Sequence, residues 1–245
     1  VKPKTGKIYL VGVGVGDADH ITVKAQKIVE AADVVFAMGF VRDRLAALLA
    51  GKDVYDAGHG YFTATPLNDA PEGEEDRYRK IVRDAVGESK TVAVLDFGDP
   101  SLFSPQRGYL TEFADLAPEV IPGLSSFNIA NAALCGEITG GTGRAVVLAE
   151  AVSGREDLPD RLAKLAATGA MLAFFTMKMD LPMVTGELLK YLPAETPAVI
   201  VAHAGYGDKQ TVLRATLGTL AERTVGVDLP WAHMLYVGGV ASCVQ

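Results

Sequence analysis

Apolar positions along the chain recur with two different periods, and each change of period marks a new element. Lys7 to Val13 (KIYLVGV) is a short β-rich apolar run that ends in glycines. Thr22 then stands where it can cap a helix whose apolar positions include Val23, Ile28 and Val29. A second buried strand is expected over Asp33 to Ala37 (DVVFA), followed by a short helix over Arg42 to Ala50 stopped by Gly51. Tyr78, Ile81, Val82, Ala85 and Val86 share one face of a helix ending at Gly87. Thr91 to Asp96 (TVAVLD) is apolar almost throughout, the pattern of a strand covered on both faces in a parallel sheet.

A helix over Gly108 to Ala114 and a strand over Glu119 to Ile121 complete the first half, and Pro122-Gly123 breaks the pattern. The domain boundary is placed there, giving domains 1–121 and 122–245. Beyond it the pattern predicts helices over Ser126 to Cys135, Leu158 to Ala167 and Pro182 to Leu192. Strands are expected over Ala145 to Leu148, Met171 to Phe175, Ala198 to His203, Gln210 to Thr216 and His233 to Val240. Strands that follow one another late in the chain imply a mixed second sheet, so the fold class is α/β with two α/β domains. The stretch from Gly58 to Gly73 has no period of its own, and a long loop inside a compact domain more often carries function than not.

Composition narrows the chemistry. With 49% hydrophobic and 22% charged residues the chain is globular rather than disordered. Its net charge of −7, without clustered Lys or Arg, argues against nucleic acid as partner. Cys135 and Cys243 are too few for a disulfide framework, and the four histidines His20, His59, His203 and His233 show no zinc-ligand spacing. No metal is therefore expected. Apolar runs are too short for a membrane span and the first residues lack a signal-peptide core, so a cytoplasmic location is expected.

Three loop motifs carry the candidate chemistry. Gly12-Val13-Gly14-Val15-Gly16-Asp17 follows a strand and precedes a helix, so it lets backbone approach a ligand closely or makes a tight turn with no ligand. Its third glycine comes one residue too early for a dinucleotide fingerprint, and no acidic residue stands where a ribose contact requires one. Gly98-Asp99-Pro100-Ser101-Leu102-Phe103 follows the buried strand directly; Asp99 can accept from a ligand or cap the next segment. Pro122-Gly123-Leu124-Ser125-Ser126 precedes an Ala-rich helix, with either serine a fitting N-cap.

In this order the motifs resemble the tetrapyrrole (corrin/porphyrin) methylase family, from about Gly6 to Ala241. The matching pieces are VGVGVGDADHIT with AADVVFA, LDFGDPSLF, VIPGLSSFNIANAAL, MLAFFTM, ETPAVIVAHAG and MLYVGGV. Within the family, GDPSLF, PGLSSF, GEIT at 136 to 139 and the segment PAVIVAHAGYGDKQTVLRATL are most similar to the precorrin-4 C11-methyltransferases of cobalamin biosynthesis. The chain departs from the family pattern at Val15, where proline is usual, at Phe97, where threonine is expected, and over His203 to Lys209.

The resemblance implies S-adenosylmethionine bound in a cleft between two domains, a tetrapyrrole substrate and a homodimer. Gly98, Asp99, Pro100 and Leu102 then hold the amino-acid end of the cofactor, and Ser125 and Ser126 contact it from the interdomain segment. Phe175, Thr176 and Met177 line the adenosine pocket, with Ala204 and His233 giving mainly backbone contacts. Gly12, Gly14 and Gly16 face substrate. Arg42, Arg44, Arg77 or Arg107 offset its carboxylates, Arg107 foremost among them.

Methylation of carbon also requires loss of a proton, for which Asp17, His59, Tyr61 and Tyr78 are the candidates. Each has a plainer role available: Asp17 in a turn, His59 and Tyr61 on a loop surface, Tyr78 on the face of a helix. Two other functions remain open. One is methylation of a peptide or protein on the same fold; the other is an NAD-dependent oxidoreductase or a non-catalytic nucleotide-binding module.

Overall fold

A computed structural model describes residues 6–63, 71–135, 138, 145–177, 179–230 and 232–239. The chain divides into two compact units, Val1–Ser125 and Ser126–Gln245. Pro122 to Ser125 stay with the first unit because Gly123 packs against the backbone of Gly12 and Gly98.

The first unit holds five parallel strands: β1 (Lys7–Gly12), β2 (Val34–Phe36), β3 (Asp53–Tyr55), β4 (Thr91–Asp96) and β5 (Glu119–Ile121), in the order β3-β2-β4-β1-β5. Its helices are α1 (Val23–Ala31), α2 (Gly39–Arg44), α3 (Ala46–Leu49), α4 (Glu74–Gly87) and α5 (Arg107–Glu112). Thr22 caps α1, its hydroxyl accepting from the Ala25 N–H at 3.1 Å. On α4, the residues Tyr78, Val82 and Ala85 are buried while Glu74, Glu75 and Asp76 crowd the first turn, where acidic groups suit the helix dipole. The single helix expected over Arg42 to Ala50 is two short ones, α2 and α3, which meet at Leu45 with its non-helical φ of −104° and ψ of 20°. The edge strand β3 lacks an apolar run, and pairing with β2 creates it.

The second unit carries α6 (Ser126–Ala133), β6 (Val146–Glu150), α7 (Leu158–Ala166), β7 (Met171–Phe175), α8 (Leu181–Leu188), β8 (Pro197–Ala202), β9 (Thr211–Thr216), α9 (Leu217–Arg223) and β10 (Met234–Val237). Its sheet runs β6-β7-β10-β8-β9 and is mixed as expected: β6 and β7 are parallel, and β10 is antiparallel to both β7 and β8. Alternation along β7 sends Leu172 and Phe174 to the face shared with α7, α8 and α9, and Met171 and Ala173 to the face shared with Ala130 and Leu134. The last strand is shorter than His233 to Val240, and α8 ends at Leu188 rather than Leu192. Helix α9 contains Gly218 and Thr219, weak helix formers, and starts through a Thr216–Thr219 capping box.

Among the described residues no helix is long and apolar enough to cross a membrane. No group of three or more His, Cys, Asp or Glu among them could hold a metal ion. Of the GEIT segment only Ile138 is described, and residues 64–70 of the Gly58 to Gly73 loop also lie outside the described residues.

Candidate functional site

In the first sheet β1 and β4 lie side by side, yet the chain leaves β1 toward β2 on one flank and leaves β4 toward β5 on the other. Loops that diverge from adjacent parallel strands open a switch point, where open α/β sheets receive ligands. Here the two loops are tied together: the Gly14 N–H donates to the Gly98 carbonyl at 3.2 Å and the Gly98 N–H to the Gly14 carbonyl at 3.0 Å. Gly14 and Gly98 have φ of 71° and 92°, which residues with a Cβ rarely adopt. The loop after β5 joins them, because Gly123 sits directly against Gly12 and Gly98. Gly12, Gly14, Gly16, Gly98, Pro100 and Ser125 are therefore neighbours, all buried, at one edge of one sheet.

Asp99 takes the capping role. Its Oδ1 accepts from the Ser101 N–H at 2.9 Å and the Ser101 hydroxyl at 2.8 Å, while its carbonyl accepts from the Leu102 N–H at 3.0 Å. The motif is thus a rigid turn that offers backbone. Arg44, one of the arginines considered for substrate carboxylates, donates to the Val13 carbonyl at 2.8 Å and the Gly16 carbonyl at 3.2 Å. It braces the glycine loop. Arg77 pairs with Glu74 at 3.0 Å, and Arg107, the first residue of α5, is exposed.

The acid–base candidates separate by burial. Asp17 is exposed at the start of a single 3₁₀ turn, and His59 is half-buried. Tyr61 and Tyr78 are core residues, 7% and 3% exposed, with ring centroids 5.6 Å apart and Phe36 at 5.1 Å from Tyr78. Burial raises both phenols, and for Tyr78 a hydrogen bond with Glu74 adds to it, so each keeps its proton at neutral pH.

Beneath the Gly98 turn lies a buried polar chain that motif reading missed. Asp96, the last residue of β4, is fully buried, and its Oδ2 accepts from the Ser104 hydroxyl. Ser104 Oγ accepts from the Gln106 N–H at 3.1 Å, and the buried Gln106 amide donates to the Gly58 carbonyl at 2.9 Å. Burial, partly offset by hydrogen bonds from Ser104 and the Phe97 backbone, pushes the Asp96 carboxyl up to about 7. The available signal was a carboxylate closing an otherwise apolar strand immediately before a glycine loop.

In the second unit, β10 runs antiparallel between β7 and β8, pairing Met234 with both Phe175 and Val201. That register brings the segments after β7 and β8 and before β10 to one sheet edge, so Phe175, Thr176, Met177, Ala204 and His233 cluster there. Thr176 clamps His233: its hydroxyl donates to the His233 carbonyl at 2.5 Å and accepts from the His233 N–H at 3.0 Å. The His233 ring, through Nδ1, bonds the Pro230 carbonyl at 2.9 Å, and burial lowers its pKa. The neutral ring thus donates from Nδ1, leaving Nε2 a buried acceptor with no hydrogen-bond partner among the described residues. Ser126 is half-buried at the first turn of α6. Thr176→Val keeps the shape but strands both backbone groups of His233, and stability to urea should fall by about 1–2 kcal/mol. Thr176→Ser should lose much less; equal losses in the two variants would show that the methyl group rather than the clamp matters.

Residues 7–221 match the family model described as Tetrapyrrole (Corrin/Porphyrin) Methylases. The chain is 31% identical over 242 residues to a precorrin-4 C(11)-methyltransferase of Mycobacterium tuberculosis, covering 95% of this chain and 90% of that protein. It is 29% identical to the cobalt-precorrin-4 C(11)-methyltransferase of Methanocaldococcus jannaschii, with 96% and 88% covered. A siroheme synthase of Stutzerimonas stutzeri is 31% identical over 98% of this chain, which spans 51% of that longer protein. Among solved structures, a cobalt precorrin-4 methyltransferase of cobalamin biosynthesis superposes with a TM-score of 0.79 at 25% identity, over 95% of this chain and 94% of that one. The uroporphyrin-III C-methyltransferase of Thermus thermophilus, solved with S-adenosylhomocysteine, gives 0.71 at 24% identity over 96% and 98%, a likeness of fold.

Proposed function

We propose that this chain, which belongs to the tetrapyrrole (corrin/porphyrin) methylase family, methylates a ring carbon of a tetrapyrrole precursor using S-adenosylmethionine, with precorrin-4 and its C11 position as the first substrate to test. The observation that carries this reading is the family match over residues 7–221 together with near-full-length similarity to C11-methyltransferases. A homodimer in the cytoplasm is part of the same proposal.

The residues present fit the cofactor. Tightly packed glycines at the carboxyl edge of the first sheet leave backbone, not side chains, to meet a ligand. The orphaned acceptor His233 Nε2 suits a donor such as an adenine amino group. Within the first unit, Gly98 to Leu102 and Ser125 are the residues that would contact it; within the second, Ser126, Phe175 to Met177, Ala204 and His233 are the corresponding candidates. S-adenosylmethionine, when bound, supplies an electrophilic methyl group on a sulfonium.

The chain's own part is alignment and exclusion of water. Positioning two partners for displacement can account for roughly 7–11 kcal/mol of barrier lowering. The rigid Asp99 turn and the Gly14–Gly98 tie supply fixed walls for it, while a buried Tyr61 or Tyr78 contributes packing rather than a base. Among the acid–base candidates this leaves the exposed Asp17 and the half-buried His59 to take the proton.

Titration calorimetry with S-adenosylhomocysteine should show saturable binding at one site per chain, with NAD and ATP inert at the same concentrations. Labelled methyl should then pass from S-adenosylmethionine to a tetrapyrrole. Binding of S-adenosylhomocysteine without methyl transfer to any pigment would sink the substrate assignment; failure to bind it would sink the whole reading.

A further inference from the structure

We infer that Phe97 and Phe40 form an aromatic shelf that receives a pyrrole ring of the substrate and sets which macrocycle is accepted. This inference rests on the tetrapyrrole reading above and goes beyond it by naming a specificity-determining surface.

Phe97 lies between Asp96, whose carbonyl accepts from the Val13 N–H at 3.0 Å, and Gly98, tied to Gly14 by two hydrogen bonds. Its backbone is thus pinned on both sides. Phe40 is the second residue of α2, directly after β2, and β2 is the strand next to β4. The two rings therefore stand at the carboxyl ends of neighbouring strands, beside the switch point where ligands are received. Their centroids are 5.2 Å apart with planes at 77°, an edge-to-face corner.

Arg44, one helical turn beyond Phe40, completes the shelf. Its guanidinium carbon lies 5.8 Å from the Phe97 ring centroid while its N–H groups hold the carbonyls of Val13 and Gly16. Phe97 is thereby fixed in place, and a cation against the ring draws on its electron density. Such a ring stacks well on an electron-rich heterocycle, which a pyrrole is. Phe97 also packs partly on the core of the first unit, whereas Phe40 is 40% exposed. A large apolar ring left in water at a ligand-receiving edge is stabilised once a flat ligand covers it.

The test uses the whole chain, wild type and the variants Phe97→Thr, Phe97→Tyr and Phe40→Ala. Uroporphyrin III, a flat and air-stable macrocycle, is titrated by absorbance and S-adenosylhomocysteine by calorimetry. Phe97→Thr and Phe40→Ala should each weaken porphyrin binding by about three- to tenfold, Phe97→Tyr should stay within about twofold of wild type, and S-adenosylhomocysteine affinity should not change. Porphyrin affinity unchanged in both ring-removing variants overturns the shelf and leaves the proposed function standing. Loss of S-adenosylhomocysteine binding in those variants overturns it too, by making the rings a support of the loops. A wild-type chain that binds S-adenosylhomocysteine but not uroporphyrin III overturns the shelf, while the tetrapyrrole reading stands or falls on methyl transfer.

Discussion

Gly123→Ala should abolish binding of S-adenosylhomocysteine and destabilise the first unit by about 3 kcal/mol or more. A Cβ at this position lies 2.1 Å from the Gly98 carbonyl oxygen and 2.7 Å from the Gly12 carbonyl carbon. Both are backbone atoms held by strand ends and by the Gly14–Gly98 hydrogen bonds, so no side chain can swing aside. Forcing a methyl group into a packed site typically costs about 1–3 kcal/mol, and more where backbone must move. The movement needed would separate the loops after β1, β4 and β5, the surface proposed to hold the cofactor. Gly186→Ala supplies the contrast: it lies inside α8 with nothing within 4 Å of the added carbon. There the same substitution should stabilise the chain by roughly 0.5–1 kcal/mol through helix propensity and leave binding intact. Denaturant titration and calorimetry on the two variants decide the matter, and a Gly123→Ala chain that binds normally would show that these loops do not form the ligand surface.

The contrast also shows which parts of the fold were legible in the sequence. Strands β4, β5 and β7 are legible with their true bounds: Lys90 precedes β4 and its own Asp96 closes it, Pro118 and Pro122 flank β5, and Thr176 follows β7. The mixed second sheet followed from strands with no helix between them. Strand β3 and helix α9 were not read, since both depend on partners elsewhere: β3 on pairing with β2, and α9 on the Thr216–Thr219 box and the close seat of Gly218 against Ala194.

At the site, motif order led to the loops but not to the jobs of individual side chains. Asp99 is spent on Ser101 and Arg44 on two carbonyls, commitments that only coordinates reveal. Tyr78 followed from the same logic in reverse. Its place on the apolar face of α4 was visible, and the structure makes that packing its dominant role. The Asp96–Ser104–Gln106 chain joins residues eight and two positions apart across a turn, a spacing no local pattern encodes.

That buried chain sets the second large effect, a dependence of stability on pH. A carboxyl whose folded pKa of about 7 lies above its ordinary 3.8 binds more protons folded than unfolded throughout that interval. Stability contributed by Asp96 is therefore full below about pH 4, falls as pH rises toward 7, and stays lost above it. The loss amounts to on the order of 2–4 kcal/mol. Ser104 bonds Oδ2, while Oδ1 has no hydrogen-bond partner among the described residues, so nothing there favours the ionised form. His233 acts with the opposite sign, because burial lowers its pKa and its contribution is lost as pH falls. The informative quantity is thus the difference between wild type and Asp96→Asn, in which the His233 contribution cancels. Asparagine can still accept from Ser104 but cannot ionise, so its stability measured in urea at pH 5 and pH 8 should be nearly flat once His233 is subtracted. If both chains lose stability equally between those values, the Asp96 carboxyl does not change its protonation between them, and the buried chain beneath Gly98 is not the origin of the pH dependence.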